Sequence, residues 1–504
     1  MHVIIQAGGK GTRLENLTRN KPKCLVPIEN KPMIFWAFET FLGHDLTVIC
    51  DYKEDVLTKY LEAFGGKYHA KVVKAEGKGT ASGIKKAISS ITDDDTVLIL
   101  WCDLFFEKNY IIPDVLKAKL TRNIIGLSST FPCRWSFKDR KIVEEASSSR
   151  GIAGFFAFKN KDEILNVPEN GAFVEWLRDQ NVSFDPLYLE NITEVGTISS
   201  FEKKTVIKNC RPFNDVQMNA ETVTKKAVDE QGKSIAVLEK QWYREISQTG
   251  YKFIPKIYSY DPLIMNRING KNIWEYDCLT ITEKKNILNQ IINGLTELHN
   301  LLPKKKSSHE DLEKVYIQKT FDRLDKIRKL VPFADKEFIK INQRYYKNIF
   351  FDRVALEKAI RKFYPSEFSL IHGDCTFSNI LYDRLSQKVY FIDPRGYFGD
   401  THLYGDIDYD WAKVYYSLVG NYDQFNRKKF ALDIRNNEIE LAIKSNNWSD
   451  IEDFFFESIG ESNKEKIKIL HAIIWLSLTT YAWDDYDSIC GAFYNGIIHS
   501  ADFL

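Results

Sequence analysis

The sequence predicts an α/β protein in two parts. Residues 1–219 are expected to form a doubly wound, mostly parallel sheet, and residues 220–504 a bilobal α+β domain. Three observations carry this. Strand and helix patterns alternate through the N-terminal part, as crossover-connected parallel sheets require. A glycine-rich turn follows the first strand pattern directly. Beyond residue 281 the chain is dominated by long amphipathic helical patterns. At 504 residues the chain also exceeds what one core accommodates.

The strand patterns fall at residues 2–6, 46–50, 70–73, 96–101 and 123–128, with helical patterns at 32–42, 54–63 and 80–90 between them. Ligands of such sheets bind beyond the carboxyl ends of the strands. The pattern changes near residue 220. Val223-Thr224-Lys225 reads as a strand, and 235–246 as a helix after a Gly-containing turn. These define a small lobe of about residues 220–270 and a helical lobe of about 271–504, with helices at 281–302 and 464–481. The basic run 304–308 reads as a solvated loop.

The charge balance is even, 70 basic against 69 acidic residues, which argues against bulk nucleic-acid binding and against a basic membrane-surface protein. The eight cysteines are scattered without CxxC or metal-ligand spacing, so a reduced, cytoplasmic chain is expected. No apolar run approaches the ~18 residues that span a bilayer. Residues 2–6 enter a strand at once, so no signal peptide is expected.

The first turn reads Gly8-Gly9-Lys10-Gly11-Thr12-Arg13-Leu14, followed by Lys21-Pro22-Lys23. Glycines let backbone amides approach phosphates. Lys10 and Arg13 can offset triphosphate charge, and Lys23 can reach an α-phosphate where charge builds during transfer. This motif pair resembles the sugar-phosphate and phosphocholine nucleotidyltransferase family. The resemblance implies a catalytic role for Lys23 and Arg13, and nucleotide contacts from Gly8, Gly9, Lys10, Gly11 and Thr12. It also implies nucleobase contacts from Gly79 and Thr80, within Gly77-Lys78-Gly79-Thr80-Ala81-Ser82-Gly83. Asp103, after the strand at 96–101, is expected to bind Mg²⁺, with Cys102 standing where the family usually has glycine. Asp215, within Arg211-Pro212-Phe213-Asn214-Asp215, is the expected second metal carboxylate.

The second constellation is His372-Gly373-Asp374, then Asn379, then Ile392-Asp393-Pro394. It resembles the aminoglycoside phosphotransferase and choline kinase family, which implies a protein-kinase-like fold. Asp374 would orient or accept the substrate hydroxyl, Asn379 and Asp393 would hold Mg²⁺, and His372 would hold the loop. Lys225 would contact the ATP α/β-phosphates, oriented by Glu239, and Asn266-Arg267 would follow the hinge strand. No glycine-rich loop precedes Val223. Trp483-Asp484-Asp485-Tyr486-Asp487 joins aromatic faces to carboxylates and suits an ammonium group, or else ends one helix and caps the next. Tyr404–Tyr416 reads mainly as structural.

A kinase makes a phosphate monoester and a nucleotidyltransferase consumes one. The leading expectation is a bifunctional cytoplasmic enzyme that phosphorylates a small alcohol, amino alcohol or sugar with ATP. It then joins the phosphate to an NMP from an NTP, with CTP the first choice by analogy. An anomeric sugar kinase fused to a UTP- or GTP-dependent transferase is the alternative. In a third, of another class, one domain is an inactive sensor. Mg²⁺ is the expected cofactor, no nucleic acid or membrane insertion is expected, and oligomeric state is left open.

Overall fold

A computed structural model describes residues 1–180, 182–204 and 214–503. The chain divides into two compact units, one of Met1–Val206 with Ala482–Asp487, the other of Ile207–Tyr481 with Ser488–Leu504.

The first unit is built on a nine-stranded sheet. Its parallel core runs in the order Lys71–Lys74, Asp45–Cys50, His2–Gln6, Val97–Trp101. Gly151–Phe158 pairs antiparallel to Val97–Trp101 and to Asn123–Ser128, and Phe184–Tyr188 pairs parallel to Asn123–Ser128. All five expected strands are present, within one or two residues at their ends.

The central strand reads Val-Ile-Ile and is buried, as a strand covered on both faces must be. It is flanked in register by both its neighbours: Gln6 lies opposite Ile49 on one side and Trp101 on the other. The chain leaves it toward one edge of the sheet and later returns on the other side. The turn after Gln6 therefore opens at a topological switch point, where such sheets bind ligands. Helices Met33–Thr40 and Glu54–Phe64 match the sequence pattern. The third is shorter than expected, Ile84–Ser89, because Gly79 and Gly83 adopt positive φ (90° and 82°) and hold residues 79–83 in a turn.

In the second unit a four-stranded sheet orders Asn214–Met218, Thr222–Ala227, Leu263–Asn266 and Ile257–Tyr260, with the helix Glu230–Ser247 following its second strand. Asp229 caps that helix by accepting from Gly232 N at 2.7 Å. The helical lobe contains Ile281–Asn300, Lys319–Ile327, Ile407–Leu418 and Lys464–Leu478. The basic run is less irregular than its composition suggests: Lys305–Lys306 forms a short exposed strand against Glu367–Leu370.

Candidate functional sites

In the first unit, Gly11 has φ 65°, and a Cβ there would stand 2.9 Å from Thr18 Cγ2 and 3.1 Å from Lys23 Cβ. Only glycine meets both demands, so the loop and Lys23 pack together. Gly9, Lys10, Thr12 and Arg13 are exposed on this loop, while Gly8 is half-buried and donates its amide to Gln6 Oε1. The same Gln6 donates its side-chain amide to Thr80 O at 2.7 Å and Ser82 O at 3.2 Å, tying the first loop to the second. Gly79 lies against the carbonyl of Gly171, where a Cβ would approach to 2.3 Å. Thr80 Oγ1 accepts from Phe173 N at 2.9 Å.

Lys23 is buried and its ammonium donates to the Asp103 carboxylate. Burial opposes that charge, yet Asp103 beside it holds the ammonium above its ordinary value. Val195 N donates to Asp103 O at 2.8 Å, and the strand Ile192–Glu194 pairs antiparallel to Leu104–Phe106 with Glu194 opposite Leu104. This register brings Glu194 beside Asp103, and Arg13 reaches the Glu194 carboxylate at 3.4 Å. A Cβ on Gly196 would meet Glu194 Oε1, Arg13 Nη2 and Asp103 Oδ2 at 2.3, 3.1 and 3.2 Å. Two carboxylates and a guanidinium thus gather around one point. Burial first, and then the Asp103 charge, raise the Glu194 carboxyl above its ordinary range.

Asp215 belongs to the second unit. It is exposed on the strand Asn214–Met218, where its carboxylate accepts from Gln217 Nε2 at 2.9 Å. Residues 211–213 of its motif lie outside the described residues. The carboxylate that local pairing sets next to Asp103 is Glu194, which sequence reasoning missed. Its signal was slight: an acidic residue closing a short apolar-polar strand just before Gly196.

In the second unit, Lys225 projects from the strand Thr222–Ala227 and donates to both oxygens of Glu239, at 2.9 and 2.8 Å, and to Asp393 Oδ1 at 2.8 Å. Glu239 is buried on the helix Glu230–Ser247. Asp393 has φ 55°, an uncommon conformation for a non-glycine residue that surrounding structure must impose. His372 is fully buried, its Nε2 lying 3.0 Å from Ile392 O and its Nδ1 3.2 Å from the Asp374 amide. A neutral imidazole donating from Nε2 satisfies both contacts, and burial lowers its pKa accordingly. Asp410 accepts from the amides of His372 and Gly373 at 2.9 and 2.7 Å, clamping the loop. Asn379 Nδ2 donates to Asp374 O at 2.7 Å and to its Oδ2 at 3.1 Å, and Lys413 approaches Asp374 Oδ1 at 3.0 Å. Asn266 ends the strand Leu263–Asn266, and Arg267 N donates to Glu221 O. In place of a glycine loop, the turn into Thr222–Ala227 is held by Asn219, which accepts from Glu221 and Thr222 amides.

The aromatic-acidic stretch 483–487 is absorbed by packing in the first unit. Asp485 and Asp487 both engage Lys21, and the Trp483 ring stacks on Phe35 at 6.0 Å.

The donor chemistry fits Mg²⁺. Asp103 with Glu194, and Asp393 with the Asn379 carbonyl oxygen, are hard oxygen donors. Each pair is too few to enclose a cation alone, which suits an ion completed by water and substrate phosphates. A divalent cation would also offset the repulsion that raises Glu194. Among the described residues no cluster of three or more His, Cys, Asp or Glu forms an all-protein metal site, and no helix is long and apolar enough to cross a membrane.

Residues 2–120 match the nucleotidyl transferase family, and residues 237–431 match the phosphotransferase enzyme family. The D-glycero-alpha-D-manno-heptose 1-phosphate guanylyltransferase of Aneurinibacillus thermoaerophilus is 33% identical over 112 residues, 21% of this chain and 47% of that protein. The UTP--glucose-1-phosphate uridylyltransferase of Haloferax volcanii is 31% identical over 124 residues, 24% of this chain and 49% of that protein. The chain thus spans about half the length of these curated relatives. Among solved structures, CTP:phosphocholine cytidylyltransferase from Streptococcus pneumoniae aligns over 40% of this chain and 96% of its own, at 20% identity and a TM-score of 0.32. The chain is a fusion of a nucleotidyl transferase domain with a phosphotransferase domain.

Proposed function

We propose that the two domains perform consecutive steps. The phosphotransferase domain moves the γ-phosphoryl group of ATP to a hydroxyl of a small alcohol, amino alcohol or sugar. The nucleotidyl transferase domain then joins that phosphate to the α-phosphorus of an NTP and releases pyrophosphate. The observation that carries this reading is that both constellations are assembled in one chain. Lys23, Arg13, Asp103 and Glu194 converge behind the glycine loop. Lys225, Glu239 and Asp393 are joined by ion pairs, and Asp374 is held by Asn379 and Lys413. An inactive sensor would have no need of either set.

In the first step Asp374 orients the acceptor hydroxyl and takes its proton, while Lys225 neutralises nucleotide phosphate charge. In the second, backbone amides of residues 8–12 cradle the triphosphate, and Lys23 and Arg13 stabilise charge growing on the α-phosphate. Mg²⁺ held by Asp103 with Glu194, and by Asp393 with Asn379, would supply further charge neutralisation. CTP is the first choice of NTP, by analogy. The curated relatives support a second reading, a sugar 1-phosphate with GTP or UTP, because their printed activities are of that kind.

The test supplies γ-³²P-ATP, all four NTPs and a library of sugars, polyols and amino alcohols. Label should enter a nucleoside diphosphate conjugate, and the pyrophosphate released should be unlabelled. Asp374→Asn should lower phosphorylation by on the order of 10²-fold or more and leave transfer from supplied monoester intact. Lys23→Ala should do the converse, by roughly 10²–10³-fold. Equal loss of both activities in either variant refutes the division of labour.

A further inference from the structure

Four cations crowd the phosphotransferase site on the side of Asp374. Lys319 and Arg323 project from the helix Lys319–Ile327 at i and i+4, a spacing that sets like charges together and weakens a helix. Directly before it, residues Glu313–Gln318 form a π-helical turn, a distortion frequent at functional sites. Lys413 comes from the helix Ile407–Leu418, and Arg395 follows the Asp393-Pro394 turn.

Tyr409 joins them. Lys319 Nζ lies 5.7 Å and Lys413 Nζ 5.6 Å from its ring centroid, and Arg395 Nη1 reaches its hydroxyl at 3.4 Å. The guanidinium groups are anchored through neutral acceptors: Arg395 donates to the Tyr397 hydroxyl at 3.1 Å, and Arg323 donates to the carbonyl of Ser477. Among the described residues no carboxylate forms a close ion pair with Lys319, Arg323 or Arg395, and Asp374, whose charge favours Lys319 and Arg395, is contacted directly by Lys413. Burial first, and then Arg395, Arg323 and Lys413, push the Lys319 ammonium well below its ordinary value. Such an arrangement disfavours folding and is retained where a substrate charge compensates it.

We propose that the acceptor of the phosphotransferase domain is an anionic alcohol, whose phosphate or carboxylate group is held by Lys319, Arg323 and Arg395 while its hydroxyl meets Asp374. This rests on the kinase reading above and narrows its acceptor. Anchored guanidinium groups suit planar or tetrahedral oxyanions through paired N–H donors, whereas an ammonium substrate would meet like charge. In the reaction the hydroxyl oxygen bonds to the γ-phosphorus of ATP and the bond to the β–γ bridging oxygen breaks. ADP leaves with that electron pair, and the hydroxyl proton passes to Asp374.

The test uses the full chain with ATP and magnesium and follows phosphoryl transfer by mass spectrometry. Its panel pairs glycerol 3-phosphate and glycerate with glycerol, and glucose 6-phosphate and glucuronate with glucose, and adds choline and ethanolamine. Transfer should be confined to anionic members. It should fall at least ~10-fold in kcat/KM for the acceptor in Lys319→Met and in Arg323→Gln, with partial rescue in Lys319→Arg. Whether phosphate or carboxylate members lead identifies the anion. Equal or faster transfer to choline, ethanolamine or an uncharged partner overturns the proposal and leaves the kinase reading standing. Transfer unaltered by Asp374→Asn overturns both. If no member reacts, inorganic phosphate titrated into the ADP-saturated chain decides. Binding at least ~10-fold weaker in Lys319→Met supports the proposal, and equal binding overturns it.

Discussion

The first unit closes around a buried charge triad that a single substitution can break. Lys21 is 2% exposed, and its ammonium contacts Asp485 at 3.0 Å and Asp487 at 2.5 Å. Asn20 Nδ2 adds a hydrogen bond to Asp487 at 3.1 Å. Burial opposes the Lys21 charge, but the two carboxylates hold it above its ordinary value. In Lys21→Met the methylene volume is kept and the charge is lost. Asp485 and Asp487 then face each other, with side chains only 6% and 15% exposed. Breaking a buried ion pair by removing one partner typically costs about 3–5 kcal/mol. For a unit of this size that is a fall in Tm of roughly 6–20 °C. The assay is thermal inactivation of nucleotidyl transfer in the full chain, with calorimetry alongside. Asp485→Asn with Asp487→Asn should restore most of the loss in the Lys21→Met background, since neutral side chains remove the repulsion between the two carboxylates. Acidification should narrow the deficit as the two facing carboxylates take up protons. A drop in Tm under about 2 °C would show that the triad contributes little and that the segment 482–487 is not held by it.

Two further outcomes concern the second unit. Lys225→Met should lower phosphoryl transfer by roughly 10²-fold or more, because Glu239 and Asp393 lose the shared cation that sets them against the nucleotide, and steady-state kinetics with saturating acceptor would show it. The His499 ring packs at a tilt against buried His471, centroids 4.3 Å apart, and burial lowers its pKa to about 4. Below pH 6.5 the unfolded chain takes up a proton that the folded chain refuses, so stability present above pH 6.5 is lost as pH falls toward 4. The loss is on the order of 3 kcal/mol, and urea midpoints across that range should flatten in His499→Phe.

The parts of the sites legible in the sequence are those made by local geometry. Gly11 and Gly79 mark turns that need positive φ, and the glycines sit where strands end. Lys225 and Glu239 could be paired because a strand and the helix that follows it are neighbours in space. Asp374, Asn379 and Asp393 lie within one short stretch of chain. What stayed hidden depends on contacts distant in sequence. The segment Ala482–Asp487 returns to the first unit from the far end of the chain, and its acid-aromatic composition reads equally as a ligand site. The cations around Tyr409 come from two helices and the turn after Asp393, far apart in sequence, and the π turn that precedes Lys319 leaves no compositional mark.

Glu194 was hidden for the same reason, and Gly196 is the residue that tests its role. Glu194 reaches Asp103 only because Ile192–Glu194 pairs with Leu104–Phe106, strands more than eighty residues apart in a chain where Asp215 offered a more conspicuous acid. Gly196 does not have a positive φ, so alanine adds no backbone strain there. The added Cβ would meet Glu194 Oε1, Arg13 Nη2 and Asp103 Oδ2, each the far end of a side chain that can move aside. The fold should therefore tolerate Gly196→Ala, with a stability change within about 1 kcal/mol. The charged groups can move aside only by leaving the point on which they converge. If that point is where nucleotide and Mg²⁺ are held, nucleotidyl transfer should fall by roughly 10²-fold while phosphoryl transfer by the other unit is unchanged. Glu194→Gln should fall comparably, and Asp215→Asn should not. Full transfer activity in Gly196→Ala and Glu194→Gln, together with loss in Asp215→Asn, would return the second metal carboxylate to Asp215 and leave the Asp103–Glu194 approach a matter of packing.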